Sequence, residues 1–338
     1  MNYEDELGIE IDRKSIDYAR FASHIRYAVE RILKKIGYEV ISVMTGDASI
    51  DDIRKAHTAD LNLVQCHRSI NYIAELIETK YGIPWMKANF IGVDGTIDTL
   101  RKMARYFDDA ELTARTEAVI ADELDQISDD MEYYKGKLKG KTAAIYVGGS
   151  RAHHYQSLLK ELGIHTILAG YEFGHREEYE GREVLPFVKL DADSKNIESI
   201  TVEPDTEKYH VYLNEEDVQK LRDEKLLDYY GGMVKDMDDG TYMVDDLNHF
   251  ETEEFLKLLK PSIFFSGIKD KFVAQKGGIL SRQLHSYDYS GPYSCFRGAV
   301  NFARDITMGI YAPAWSYVKA PWKAAPILEG TLGGEKAC

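Results

Sequence analysis

The stretch KTAAIYVGGSRAHHYQSLLKELGIHTILA, residues 141–169, decides the fold. Lys141 to Val147 is a short apolar run, Gly148-Gly149-Ser150-Arg151 breaks it, and a helical stretch then continues to Leu162. Gly163 stops that helix, and His165 to Ala169 is a second apolar run. Strand, glycine turn, helix and strand in that order predict a βαβ unit of a parallel sheet.

The same pattern extends in both directions. From Ser15 to Lys35, apolar residues recur at helical spacing (Ile16, Ala19, Phe21, Ile25, Ala28, Ile32), and Gly37 closes the helix. Tyr38 to Met44 reads as a strand, Leu61 to Val64 as the next, Ser69 to Tyr81 as a helix, and Ile83 to Met86 as a third extended segment. Asp109 to Leu138 is a long charged helical stretch, read as a spacer between two sheets. Pro261 to Ser266 and Ile279 to Gln283 are further strands. Between about Arg182 and Gly232 the chain is polar and aperiodic, which predicts a surface insertion. The expected architecture is α/β: two Rossmann-like parallel-sheet domains with helices on both faces, divided as 1–140 and 141–338.

Composition narrows the function. The 338 residues suit two domains of roughly 150 residues each. A formal charge of −15 opposes nucleic acid, which needs clustered Lys and Arg. Three cysteines, Cys66, Cys295 and Cys338, leave an odd count without short-range pairing, as in a reducing cytoplasm. The acidic start, Met1 to Asp5, lacks the basic region of a signal peptide, and no apolar run approaches the ~18 to 20 residues of a membrane span.

In parallel α/β sheets the loops at the carboxyl ends of strands line the ligand crevice. Cys66, Gly148 to Arg151, Gly170 to Phe173, Gly267 to Lys269 and His285 all follow predicted strands. Gly148 and Gly149 let the backbone approach a bulky ligand, and Arg151 at a helix start can hold an anion. The turn is neither a phosphate-binding P-loop nor GxGxxG. Taken alone, Cys66 reads more readily as an inert buried thiol than as a soft metal ligand, and His285 more readily as a hydrogen-bonded core or surface histidine than as a ligand. His153 and His154, adjacent on a helix, point apart and do not suit zinc. Asp236 to Gly240 resembles part of a calcium loop without the closing Glu, and Asp245-Asp246 reads as the polar start of a helix running to Leu259. No GxSxG elbow supports serine catalysis.

Together, the runs Leu61 to Ile73 (LNLVQCHRSINYI), Lys80 to Met86 (KYGIPWM), Gly148 to Arg151 (GGSR), Gly170 to Phe173 (GYEF) and Leu284 to Tyr293 (LHSYDYSGPY) resemble the α subunits of nitrogenase component 1, the molybdenum–iron protein family. They occur in the family's order, from about Ala28 to Lys323, and the stretch near Arg182 to Gly232 resembles the clostridial-type insertion. The resemblance implies an iron–molybdenum–sulfur cluster with homocitrate, held by Cys66 on iron and by His285 on molybdenum. Thiolate is a soft ligand for iron in a sulfide cluster, and imidazole completes the coordination of the harder metal. It further implies that Gly148, Gly149 and Arg151 pack on the cluster sulfurs, with Arg151 in the catalytic environment. By the same resemblance, Arg68 and Ser69 follow the ligand cysteine as its neighbours, Glu172 and Phe173 match a wall of the pocket, and Lys269 matches a residue near the homocitrate.

The implied activity is reduction of dinitrogen to ammonia by an α2β2 heterotetramer with a β chain, fed by an ATP-dependent iron protein in the cytoplasm, with no nucleic-acid or membrane partner. Family α subunits carry a further N-terminal domain with ligands of the eight-iron P-cluster. Those ligands have no counterpart in this chain, so the resemblance implies that the chain alone is inactive. Tyr287 stands where many members have tryptophan. The competing expectations are a non-catalytic metal-cluster carrier or inactive fragment of the same superfamily, and a single-chain reductase of tetrapyrrole type.

Overall fold

The structure, a computed structural model, describes residues 22–44, 48–65, 67–172, 202–210, 214–227, 240–245, 247–267, 270–284 and 292–317. Helix α1 (Ala22–Ile36) buries Ala28, Ile32, Leu33 and Ile36 along one stripe. It ends where Gly37 takes φ +112° and its amide returns to the Leu33 carbonyl at 3.1 Å. After the short α2 (Ile50–Lys55), strand β1 (Asn62–Val64) pairs in parallel with β2 (Trp85–Lys87) across helix α3 (His67–Tyr81). Helices α4 (Val93–Phe107), α5 (Ala110–Asp125) and α6 (Ser128–Leu138) follow.

The larger sheet contains β3 (Thr142–Gly148), β4 (His165–Glu172), β5 (Tyr242–Asp245), β6 (Ile263–Ser266) and β7 (Ser281–Gln283). Its order is β5-β4-β3-β6-β7 and every pairing is parallel. The chain leaves β3 towards one edge through α7 (Gly149–Glu161), then returns to the other side of β3 for β6 and β7. The switch point therefore lies between the carboxyl ends of β3 and β6.

Alternation across the pleat gives β3 two buried faces. Ala143, Ile145 and Val147 pack with α7 and with α11 (Cys295–Ile310), whereas Ala144 and Tyr146 pack with α9 (His249–Leu259) and α10 (Lys271–Lys276). Strands covered on both sides need apolar residues throughout, which is why residues 142–147 read so clearly.

Four expectations change. Residues 38–44 form no strand among the described residues, because no neighbouring strand offers them a ladder; Tyr38 instead packs its ring on Phe107 at 5.6 Å. Residues 109–138 are not a spacer. They form α5 and α6, broken at Gln126-Ile127, with Leu112, Ile120, Met131 and Leu138 buried in a core that runs continuously from Ala28 to Ile306 across position 140. Glu123 of α5 is 2% exposed and accepts from Arg31 at 2.8 and 2.9 Å and from Lys35 at 2.6 Å, locking α5 to α1.

The α9 helix is capped not by Asp245-Asp246 but by Asn248, in a reciprocal capping box with Glu251; Asp245 closes β5, a strand the sequence did not announce, and Asp246 lies outside the described residues. The calcium-like run falls outside them too, apart from Gly240.

The described part of the polar stretch at 182–232 is not aperiodic. It carries helix α8 (Glu215–Asp223), capped by Asn214, and docks on the end of α3. The amides of Asp205 and His210 donate to the Lys80 and Tyr81 carbonyls at 2.8 and 2.7 Å, and Arg222 pairs with Glu78 at 3.2 Å. Gly82 makes this contact possible: it has φ +73°, and a Cβ there would lie 2.0 Å from the His210 carbonyl oxygen. Gly82→Ala is expected to cost about 1–3 kcal/mol locally and to speed amide exchange at Asp205 and His210. Wild-type exchange at both amides would contradict the docking.

Candidate cofactor site at the sheet switch point

β3 delivers Gly148 to the switch point, and α7 starts immediately after it with Arg151 in its first turn. A Cβ at Gly148 would meet nothing within 4 Å among the described residues. The free amides at the start of α7 and the Arg151 guanidinium add positive potential on that side. The carboxyl ends of the neighbouring strands are tied together: the Leu284 amide donates to the Ser266 carbonyl at 3.1 Å, and Arg151 Nη1 donates to the Leu284 carbonyl. Arg151 is thus fixed to the residue that immediately precedes His285.

The next turn of α7 is electrically quiet. His153 and His154 are buried; burial lowers their pKa values to about 3 and about 4, with His154 and Lys87 acting further on the first and Arg151 on the second. Both are neutral near pH 7, so Arg151 supplies the cationic side chain of this helix start. Cys295, a free and buried cysteine, has its thiol pushed up to about 12, mainly by burial, and is therefore a poor nucleophile and ligand.

Cys66, Phe173, Lys269 and His285 lie outside the described residues. The backbone places Arg68 and Ser69 in the first turn of α3, and Glu172 at the end of β4 in register with Gly148. Gly148, Gly149, Arg151 and Glu172 thereby share one carboxyl edge, and α3 packs against α7. The Leu284 carbonyl and the residues Tyr293, Asn301 and Asp305 behind the Leu284 to Tyr293 run were not anticipated. A backbone acceptor leaves no trace in residue type. The apolar spacing of Phe296, Ala299, Val300, Ala303 and Ile306 was the available signal for α11.

At its other end α7 grips α4. Glu161 accepts from the amides of Val93 at 2.9 Å and Asp94 at 3.2 Å, and Gly92 leaves room for the carboxylate. Its pKa is pushed up to about 7, chiefly by burial, against the pull of the Val93 amide. A folded-state pKa above the unfolded value of 4.5 means that this contribution is fully present below pH 4.5 and is lost as pH rises through 7. Discounted for partial exposure, the loss is roughly 1 kcal/mol. Glu161→Gln is expected to flatten the decline of the urea midpoint between those pH values. A slope equal to wild type would contradict this.

Comparison with known proteins places these features. Residues 22–311 match the family model described as Nitrogenase component 1 type Oxidoreductase. The nitrogenase molybdenum–iron protein α chain of Clostridium pasteurianum is 59% identical over 311 residues, covering 91% of this chain and 58% of the relative. Its counterpart from Methanosarcina barkeri is 51% identical over 301 residues, covering 89% and 56%. The solved structure of nitrogenase Cp1 at pH 6.5 superposes with a TM-score of 0.80 at 58% identity, over 88% of this chain and 58% of that one. The chain thus spans a little over half the length of these relatives.

Proposed function

Because this chain belongs to the nitrogenase component 1 type oxidoreductase family, we propose that it contributes the cofactor-binding part of a molybdenum–iron protein that reduces dinitrogen to ammonia. The division into units at 1–140 and 141–338 is part of this reading, as are a β chain in an α2β2 assembly, an ATP-dependent iron protein that donates electrons, and a cytoplasmic location. No helix among the described residues is long and apolar enough to cross a membrane.

The observation that carries the proposal is the switch point itself, where Gly148 opens the edge of the sheet and Arg151 reaches across to the Leu284 carbonyl beside His285. The residues suit an iron–molybdenum–sulfur cluster with homocitrate. Amide donors and a guanidinium, beside a glycine with no described neighbour within 4 Å of a would-be Cβ, favour a bulky anionic group. Cys66 supplies a thiolate for iron and His285 an imidazole for molybdenum. When bound, the cluster would relay the iron protein's electrons and supply the metal face for reduction of dinitrogen.

The protein's part is to bind, shape and exclude. Gly148 and Gly149 allow backbone amides to approach sulfur, and Arg151 offsets negative charge on that side, which tunes the potential. On this reading Lys269 would supply a cation for the polycarboxylate, and Arg68, Ser69, Glu172 and Phe173 would contribute to the wall.

The test is anaerobic isolation of the complex containing this chain, with iron and molybdenum analysis and acetylene reduction after adding iron protein and ATP. Both metals and reductant-dependent turnover are expected. Metal without turnover would favour a cluster carrier, and absence of both metals would overturn the cofactor reading.

A further inference from the structure

The chain leaving β2 is stapled to the chain that follows the His285 motif. Ile91 and Ser294 form an antiparallel bridge, and the Cys295 amide donates to the Phe90 carbonyl at 2.7 Å. Cys295 makes that bond from φ +62°, a left-handed conformation that residues other than glycine rarely adopt. Because β2 lies beside β1, the strand that leads to Cys66, this seam joins the framework of the thiol to that of the imidazole.

Three groups fix the seam from behind. Tyr293 Oη donates to Asp305 Oδ2 at 2.6 Å in a buried setting, and Asn301 Nδ2 donates to the Pro292 carbonyl at 3.1 Å. Gly298 lets α11 lie so close that a Cβ there would stand 2.4 Å from the Tyr293 carbonyl carbon. The Tyr293 ring meets Phe302 edge-on at 5.3 Å, and Phe302 stacks on Phe265 of β6 at 5.6 Å. Residues 285–291 are therefore bracketed in sequence by fixed points, Arg151 on the Leu284 carbonyl before them and the seam after them.

The geometry points to Tyr293 and Asp305 as positioning residues that set the separation of the two cluster anchors, an inference that rests on Cys66 and His285 being those anchors. Replacing a buried charged partnership by apolar groups is often neutral for stability. A short directional bond, in contrast, fixes where a turn sits.

The experiment compares Tyr293→Phe, Asp305→Leu, Asp305→Asn and Asn301→Ala in the anaerobically isolated complex, with Cys66→Ala as control. Tyr293→Phe, Asp305→Leu and Asn301→Ala are expected to lose iron and molybdenum to a chelator about tenfold faster than wild type, the equilibrium weight of one buried hydrogen bond. Their cluster electron paramagnetic resonance line shape should change at temperatures well below unfolding. Asp305→Asn keeps an acceptor oxygen for the tyrosine and should restore both readouts. Wild-type chelation rates and line shape in Tyr293→Phe and Asn301→Ala would overturn the positioning role, even if their melting points fell. Metal retention in Cys66→Ala would overturn the anchor reading instead, and the inference with it.

Discussion

Cys66→Ala is expected to leave the isolated complex without molybdenum and with iron only at background, and His285→Ala should do the same. On the proposed reading the cluster hangs from these two side chains alone, so losing either would remove one of its two attachments. Losing a group that merely orients a ligand typically costs 10–100-fold in metal affinity, so losing a ligand itself should exceed about 100-fold. Cys295, the free cysteine among the described residues, is buried with its thiol pushed up to about 12. Metal analysis with circular dichroism separates the expected outcome, a folded chain without metal, from simple unfolding. Stoichiometric metal in both variants would end the ligand assignment.

The second large effect is structural. Phe302 is 1% exposed and sits where α7, α11 and β6 meet, with Tyr155 at 5.3 Å, Phe265 at 5.6 Å and Tyr293 at 5.3 Å between ring centroids. Truncation forfeits the burial of an aromatic ring and leaves a cavity that close-packed neighbours cannot fill, a cost of about 3–5 kcal/mol. Phe302→Ala should therefore lower the denaturant midpoint sharply, whereas Phe302→Leu should lose less because most of the volume remains. Equal midpoints for wild type and Phe302→Ala would show that this ring junction does not organise the core.

The βαβ units were legible because a parallel strand covered on both faces must be apolar throughout, as 142–147 and 263–265 are, and because Gly37 and Gly163 take the positive φ that ends a helix. Residues 38–44 are also rich in β-branched and apolar residues but form no strand, since a ladder depends on a neighbour that composition does not specify. The helical period of 109–138 was visible, but not that Glu123 would be drawn into the interior by Arg31 and Lys35. β5 is short and lies at the sheet edge, so it carried too few residues for a periodic signal.

At the site, motif runs pointed to the strand ends, and Gly148, Gly149, Arg151 and Glu172 do share one edge. The seam formed by Phe90, Ile91, Ser294 and Cys295 stayed hidden because it consists of backbone groups about 200 positions apart, which residue types do not encode.

The most direct measurement is anomalous diffraction at the iron and molybdenum edges from crystals of the anaerobically isolated complex. The expected result is a cluster of iron peaks with one end within bonding distance of Cys66 Sγ, and a molybdenum peak at the other end bonded to a ring nitrogen of His285. Anomalous density bound elsewhere on the chain, or none near these two residues, would contradict the assignment.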